Sequence, residues 1–195
     1  MKVKKRIGLG TWSWGNKLLW NYQTTNDNDL CETFNEALKR GFDLFDTADS
    51  YGTGSLNGRS ESLLGEFLLN NSIAKKKRIQ IATKLAPYPW RIGNKGFNKP
   101  FLKSLERLNS KLDIVQLHWS TARYNPWQEL QFLDNLCDLL DQGFDFQIGL
   151  SNIGPKRLKI LIKHLSKRDR KLKSVQIQFS LLAPDLLKQN QVKKI

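Results

Sequence analysis

Six short β-type runs recur along the chain at a nearly constant interval, and this rhythm limits the possible folds more than any other feature. The runs cover 7–10, 42–46, 79–83, 114–118, 146–150 and 174–178, with starts 35, 37, 35, 32 and 28 residues apart. Between them lie helical patterns with apolar residues three and four apart: Leu30, Phe34, Ala37 and Leu38; Leu63, Leu64, Phe67 and Leu68; Phe101, Leu102, Leu105 and Leu108; Leu130, Leu133, Leu136, Cys137 and Leu140; and Leu158, Leu161, Ile162 and Leu165. Gly41 and Gly143 follow two of these helices, where a left-handed C-terminal residue is wanted, and Pro155 stands where a first helical turn begins. Gly41-Phe42-Asp43 and Gly143-Phe144-Asp145 then open the next strands in almost the same words. The unit is a repeated βα.

Strict alternation of strand and helix predicts a parallel sheet with right-handed crossovers, either an open doubly wound sheet or a closed barrel. No G-x-G-x-x-G follows a strand, which argues against a dinucleotide-binding open sheet. Polar residues instead gather after the C-terminal ends of nearly every strand, at Thr11, Asp46 to Tyr51, Lys84, His118, Ser151-Asn152 and Gln176. A ring of functional groups at many strand ends is how a (β/α)8 barrel of the TIM type builds a site. A full barrel needs eight units and roughly 250 residues. The 195 residues hold about six units, and we expect one domain over 1–195.

The formal charge of +14 raises the question of nucleic acid, but the excess is local. Residues 1–150 hold 20 Lys+Arg against 16 Asp+Glu, and residues 151–195 hold 12 against 2. There the basic residues alternate with leucine and isoleucine at helical spacing, the pattern of a solvated helix face, and no zinc spacing or aromatic-rich nucleic-acid motif accompanies them. A nucleic-acid partner is the less favoured reading, and a positive field attracting a phosphorylated cofactor is compatible with either. No apolar run approaches the roughly 20 residues that span a bilayer, so no membrane role is expected. Cys31 and Cys137 match no metal or redox spacing and read as small buried hydrophobes with free thiols, in keeping with a cytoplasmic location.

Four side chains at three successive strand ends carry potential chemistry: Asp46, Tyr51, Lys84 and His118. A phenol is a poor acid at neutral pH, but a neighbouring ammonium stabilises the phenolate left when its proton departs. Lys84 would supply that charge, and Asp46 would hold the lysine charged and aimed. A neutral His118 would donate a hydrogen bond that orients a carbonyl oxygen. Each has a plain structural reading too: Asp46 with Lys84 an ion pair, Tyr51 a loop anchor, His118 a core histidine.

The chain resembles the aldo-keto reductase superfamily through a series of phrases in order. They are Gly8-Leu9-Gly10-Thr11-Trp12, Phe45-Asp46-Thr47-Ala48-Asp49-Ser50-Tyr51-Gly52, Gly58-Arg59-Ser60-Glu61, Ala82-Thr83-Lys84, Leu117-His118-Trp119, Ile148-Gly149-Leu150-Ser151-Asn152, and Gln176 through Leu182. The stretch Thr11 to Trp20 is most similar to a subgroup from cyanobacteria and plant plastids. The resemblance implies a catalytic tetrad of Asp46, Tyr51, Lys84 and His118, with NADPH as hydride donor and a small carbonyl compound as substrate. It further implies that Ser151, Asn152 and Gln176 hold the nicotinamide carboxamide, with Gly10, Thr11, Trp12 and Asp46 also on the cofactor side. Trp12, Trp90 and Trp119 would form an apolar substrate wall or, equally, pack the barrel. For Glu61 we read a first-turn carboxylate that suits the helix dipole.

The family's seventh and eighth strands are not found in these residues, nor is the basic loop that binds the adenosine phosphates. The resemblance therefore implies a C-terminally shortened barrel, with the lysine-rich stretch Gln189–Ile195 where a seventh unit would begin and the N-terminal hairpin reduced to Met1–Arg6. Open sheet edges would favour oligomers. The alternative is a catalytically impaired fragment acting as a binding or regulatory module.

Overall fold

The computed structural model describes residues 7–76 and 78–180, the side chain of Lys76 excepted; Met1–Arg6 and Gln189–Ile195 lie outside the described residues. In chain order the elements are β1 (Leu9–Gly10), α1 (Lys17–Trp20), α2 (Asp27–Lys39), β2 (Leu44–Asp46), α3 (Arg59–Asn70), α4 (Ser72–Lys76), β3 (Gln80–Leu85), α5 (Asn98–Arg107), β4 (Ile114–Leu117), α6 (Pro126–Asp141), β5 (Gln147–Ser151), α7 (Pro155–Ser166) and β6 (Leu172–Gln176). All six expected strands and all five expected helices form. Gly41 and Gly143 take the left-handed conformation after their helices, and Pro155 opens α7. Two short helices escape the periodicity because local caps make them: the Asn16 side chain accepts from Leu19 N (3.0 Å) at α1, and Asn71 accepts from Ala74 N (2.8 Å) at α4.

The strands form one parallel sheet in the order β1-β2-β3-β4-β5-β6. A doubly wound sheet would reverse its strand order partway. Unbroken sequential order is the winding of a barrel, and it settles between the two architectures the alternation left open.

Register decides which side chains meet. Gly10 pairs with Asp46, Asp46 with Ala82, Lys84 with Gln116, Gln116 with Gly149 and Ser151 with Gln176. Side chains alternate across a strand, so Asp46, Lys84, Gln116, Ser151 and Gln176 all lie on one face. A hydrogen bond from Ser174 Oγ to Gln116 Oε1 (3.4 Å) crosses that face over Gly149. The alternate residues Phe45, Ile81, Val115, Leu117, Ile148 and Leu150 face the helices and are buried, packing against Phe34, Leu64, Phe101, Phe132, Leu136 and Leu161. Helices of 10–16 residues are marginal alone, so burial of these apolar stripes holds them.

On α7, Leu158, Leu161 and Leu165 are buried while Lys156, Lys159 and Lys163 are exposed, as a solvated basic face requires. Both cysteines are free; Cys137 is buried, but Cys31 is only half-buried, because it sits at the margin of the α2 stripe rather than on its centre.

The close approach of α3 to the end of α5 fixes one glycine. A Cβ on Gly65 would lie 2.0 Å from the Arg107 carbonyl oxygen. Replacing a mid-helix glycine by alanine stabilises a helix by about 1 kcal/mol, whereas overpacking against backbone costs about 1–3 kcal/mol. Gly65→Ala should therefore lower the urea midpoint, and an unchanged or raised midpoint would show that the two helices can part.

Candidate functional site

The C-terminal strand ends bring together the four residues singled out in the sequence. Asp46 closes β2, Lys84 lies near the end of β3 and His118 directly follows β4. The Lys84 side chain is 3% exposed and its ammonium meets three acceptors: Asp46 Oδ2 at 2.7 Å, the Thr47 carbonyl at 2.7 Å and Tyr51 Oη at 3.0 Å. Three N–H donors are thus matched by three oxygens. Burying an unpaired ammonium would cost several kcal/mol, and Asp46 offsets that cost. Because Tyr51 Oη accepts from Lys84, its own proton is left to point elsewhere. The Lys84 nitrogen also stands 4.7 Å from the Tyr51 ring centre.

His118 closes the group, its ring edge-on to Tyr51 with centroids 5.5 Å apart. Burial, with the Lys84 charge adding to it, pushes the His118 pKa down to about 3. The ring is therefore neutral across the physiological range. Its Nδ1 lies 3.1 Å from Ser50 Oγ.

Behind these residues run three buried networks that sequence reading missed. Ser60 Oγ lies 2.6 Å from Thr11 Oγ1 and 3.0 Å from Thr47 Oγ1, tying the ends of β1 and β2 to the start of α3. Glu61, fully buried, accepts from the hydroxyl of Thr83 and from Arg107 Nη1. Burial raises its pKa, against the pull of both partners. Its role is thus a bridge from α3 to β3 and α5, where the sequence showed only a dipole partner. Asp49 is likewise buried, accepts from Ala86 N (3.0 Å) and pairs with Arg91. Both carboxylates sit in polar stretches of sequence, Arg59-Ser60-Glu61-Ser62 and Asp46-Thr47-Ala48-Asp49-Ser50, so no local signal marks them as buried.

The remaining expected residues divide into groups. Ser151, Asn152 and Gln176 come together: Asn152 Nδ2 donates to Ser151 Oγ (3.2 Å), which lies 3.4 Å from Gln176 Oε1. Gly10 is exposed, but the Thr11 side chain is buried and turned toward Ser60. Trp119 lies against His118 (5.0 Å between centroids), and Trp90 stacks on Tyr88 (4.8 Å), which meets Trp119 edge-on (6.1 Å). Trp12 pairs with Trp20 instead (6.2 Å). Trp12 and Trp90 are 52% and 73% exposed. Among the described residues there is no cluster of His, Cys, Asp or Glu able to hold a metal, and no helix long and apolar enough to cross a membrane.

The neutral His118 has a consequence for stability. An unfolded histidine binds its proton near pH 6.5 and the folded one only near 3, so between these values the unfolded state holds more protons. Stability contributed here is present above about pH 6.5 and lost as pH falls toward 3. Urea midpoints of the wild type should fall more steeply over that window than those of His118→Gln; parallel profiles would mean that His118 titrates normally.

The Aldo/keto reductase family model matches residues 6–195. Over 180 residues the chain is 48% identical to the chloroplastic pyridoxal reductase of Arabidopsis thaliana, covering 91% of this chain and 49% of that protein. It is 31% identical over 163 residues to the 6-dehydroglucose reductase of Novosphingobium aromaticivorans, covering 80% and 51% respectively. Among solved structures, a glycerol dehydrogenase from Gluconobacter oxydans superposes with a TM-score of 0.75 at 25% identity, over 96% of this chain and 56% of that one. The chain spans about half the length of the curated relatives it matches. With a match along nearly all of its residues and the sequential parallel winding of a barrel, the chain belongs to the aldo/keto reductase family.

Proposed function

We propose that the protein reduces an aldehyde or ketone to the alcohol, with NADPH as hydride donor and Tyr51 as the acid that protonates the carbonyl oxygen. The observation that carries this reading is the Lys84 ammonium, whose three donors are taken by Asp46, Thr47 and Tyr51, so that the phenol accepts from it and keeps its own proton for a substrate. Bound NADPH supplies the hydride that reaches the carbonyl carbon. Tyr51 gives its proton to the oxygen, and the phenolate left behind is stabilised by the ammonium 3.0 Å away. The neutral His118 ring holds the carbonyl oxygen by a hydrogen bond.

The hydroxyl and two amides of Ser151, Asn152 and Gln176 combine donors and acceptors in one cluster, which fits a nicotinamide carboxamide. The preference for NADPH over NADH comes from the family resemblance. Trp90, Tyr88 and Trp119 form an aromatic row leading to His118, which favours planar carbonyl compounds. A pyridine aldehyde of the kind named for the Arabidopsis relative is the first candidate. Two free thiols support a reducing compartment such as the cytoplasm.

Mixed with NADPH and a panel of aryl and alkyl aldehydes, the protein should consume NADPH, faster with the aryl members. Tyr51→Phe should lower kcat by about 10²–10⁴-fold. Equal rates in the two proteins would overturn the assignment of Tyr51.

A further inference from the structure

The mechanism leaves open which nitrogen of His118 carries the proton, and the surroundings of Nδ1 answer it. A neutral imidazole has a single N–H. Nδ1 faces Ser50 Oγ at 3.1 Å, and among the described residues Nε2 has no hydrogen-bond partner. Were the proton on Nδ1, it would be used on the serine, and Nε2 would present a lone pair to an incoming carbonyl oxygen. Two electron-rich atoms would then face each other.

The serine is placed to prevent this. Ser50 lies between Asp49, anchored by Ala86 N and Arg91, and Tyr51, held by Lys84. The nearby Tyr88 phenol has its pKa raised chiefly by burial, with the Ser50 hydroxyl acting the other way. Tyr88 is itself fixed: Gln128 Nε2 donates to its carbonyl (2.7 Å) and the Arg91 guanidinium sits 4.8 Å from its ring centre. With its backbone held on both sides, the Ser50 hydroxyl stands 3.1 Å from His118 Nδ1, within reach to give it a proton.

We propose that Ser50 is a positioning residue whose hydroxyl donates to His118 Nδ1 and so fixes the tautomer with its N–H on Nε2, the form able to hold a carbonyl oxygen. The inference rests on the proposed reductase reading for its purpose, but the tautomer can be measured without turnover.

The chain has two histidines, so protein labelled with ¹⁵N-histidine gives two ring spin systems, assigned through His164→Gln. In the wild type His118 should show a protonated-type Nε2 and an unprotonated-type Nδ1. In Ser50→Ala both resonances should move toward the average of two tautomers, and Ser50→Thr should restore them. Ser50→Cys, which keeps the shape but offers a weaker donor, should give an intermediate shift and serves as the second variant if Ser50→Ala fails to fold. In turnover, loss of one such hydrogen bond should lower kcat about fivefold with KM for NADPH unchanged. A wild type protonated on Nδ1, or a folded Ser50→Ala with an unaltered His118 spectrum, would overturn the inference. Absence of NADPH oxidation alongside the expected spectra would instead overturn the reductase reading and leave the serine's effect on the tautomer standing.

Discussion

A buried ammonium organises the mouth of this sheet. Lys84 is almost wholly withdrawn from water, and each of its three donors ends on an oxygen from the β2 strand end or the loop that follows it. Losing any of those oxygens would leave a buried charge underpaired, a cost large compared with the net worth of a single hydrogen bond. The loop 46–51 is therefore held in one course, and with it the Tyr51 phenol and the Ser50 hydroxyl. The same charge, second to burial, keeps His118 neutral.

That arrangement depends in turn on strand register. Asp46 pairs with Ala82, so Lys84 stands two residues beyond the end of β2 on the same face as Asp46. His118 bears the same relation to Lys84 across β4, and Ser151 to Gln116 across β5. A slip of one residue would turn Lys84 into the layer occupied by Phe45 and Ile81 and bring Thr83 to the mouth. The outer face resists such a slip because Phe45, Ile81, Val115, Ile148 and Leu150 are all buried against helices. Packing on one side of the sheet thereby holds the chemistry on the other.

Much of this was legible from residues alone. Short β-type runs at a steady interval, apolar residues three and four apart between them, and glycine or proline punctuation located every strand and every helix built on an apolar stripe. Polar side chains at strand ends stood out against those runs, which is how Asp46, Lys84, His118 and Ser151 could be named. The buried networks were not legible. Glu61 looks like any first-turn glutamate, and nothing in its neighbourhood announces Thr83, 22 residues on, or Arg107, 46 residues on. Asp49 and Arg91 are likewise far apart in sequence, and Thr11 read as a mouth residue although its side chain turns to Ser60.

Local chemistry and periodicity thus determined which segments are strands and helices, their alternation and the identity of the four central side chains, while the series of short phrases carried the resemblance to a reductase family. Only the tertiary structure decided that the sheet is wound in sequential order, that Trp90 stacks on Tyr88 while Trp12 turns to Trp20, and that Ser50 meets His118 Nδ1. The division has a physical reason. Propensity and amphipathicity act over a few residues and leave a trace in spacing, whereas an ion pair or a hydrogen bond between distant segments depends on register and loop course, which are set by the packing of the whole sheet.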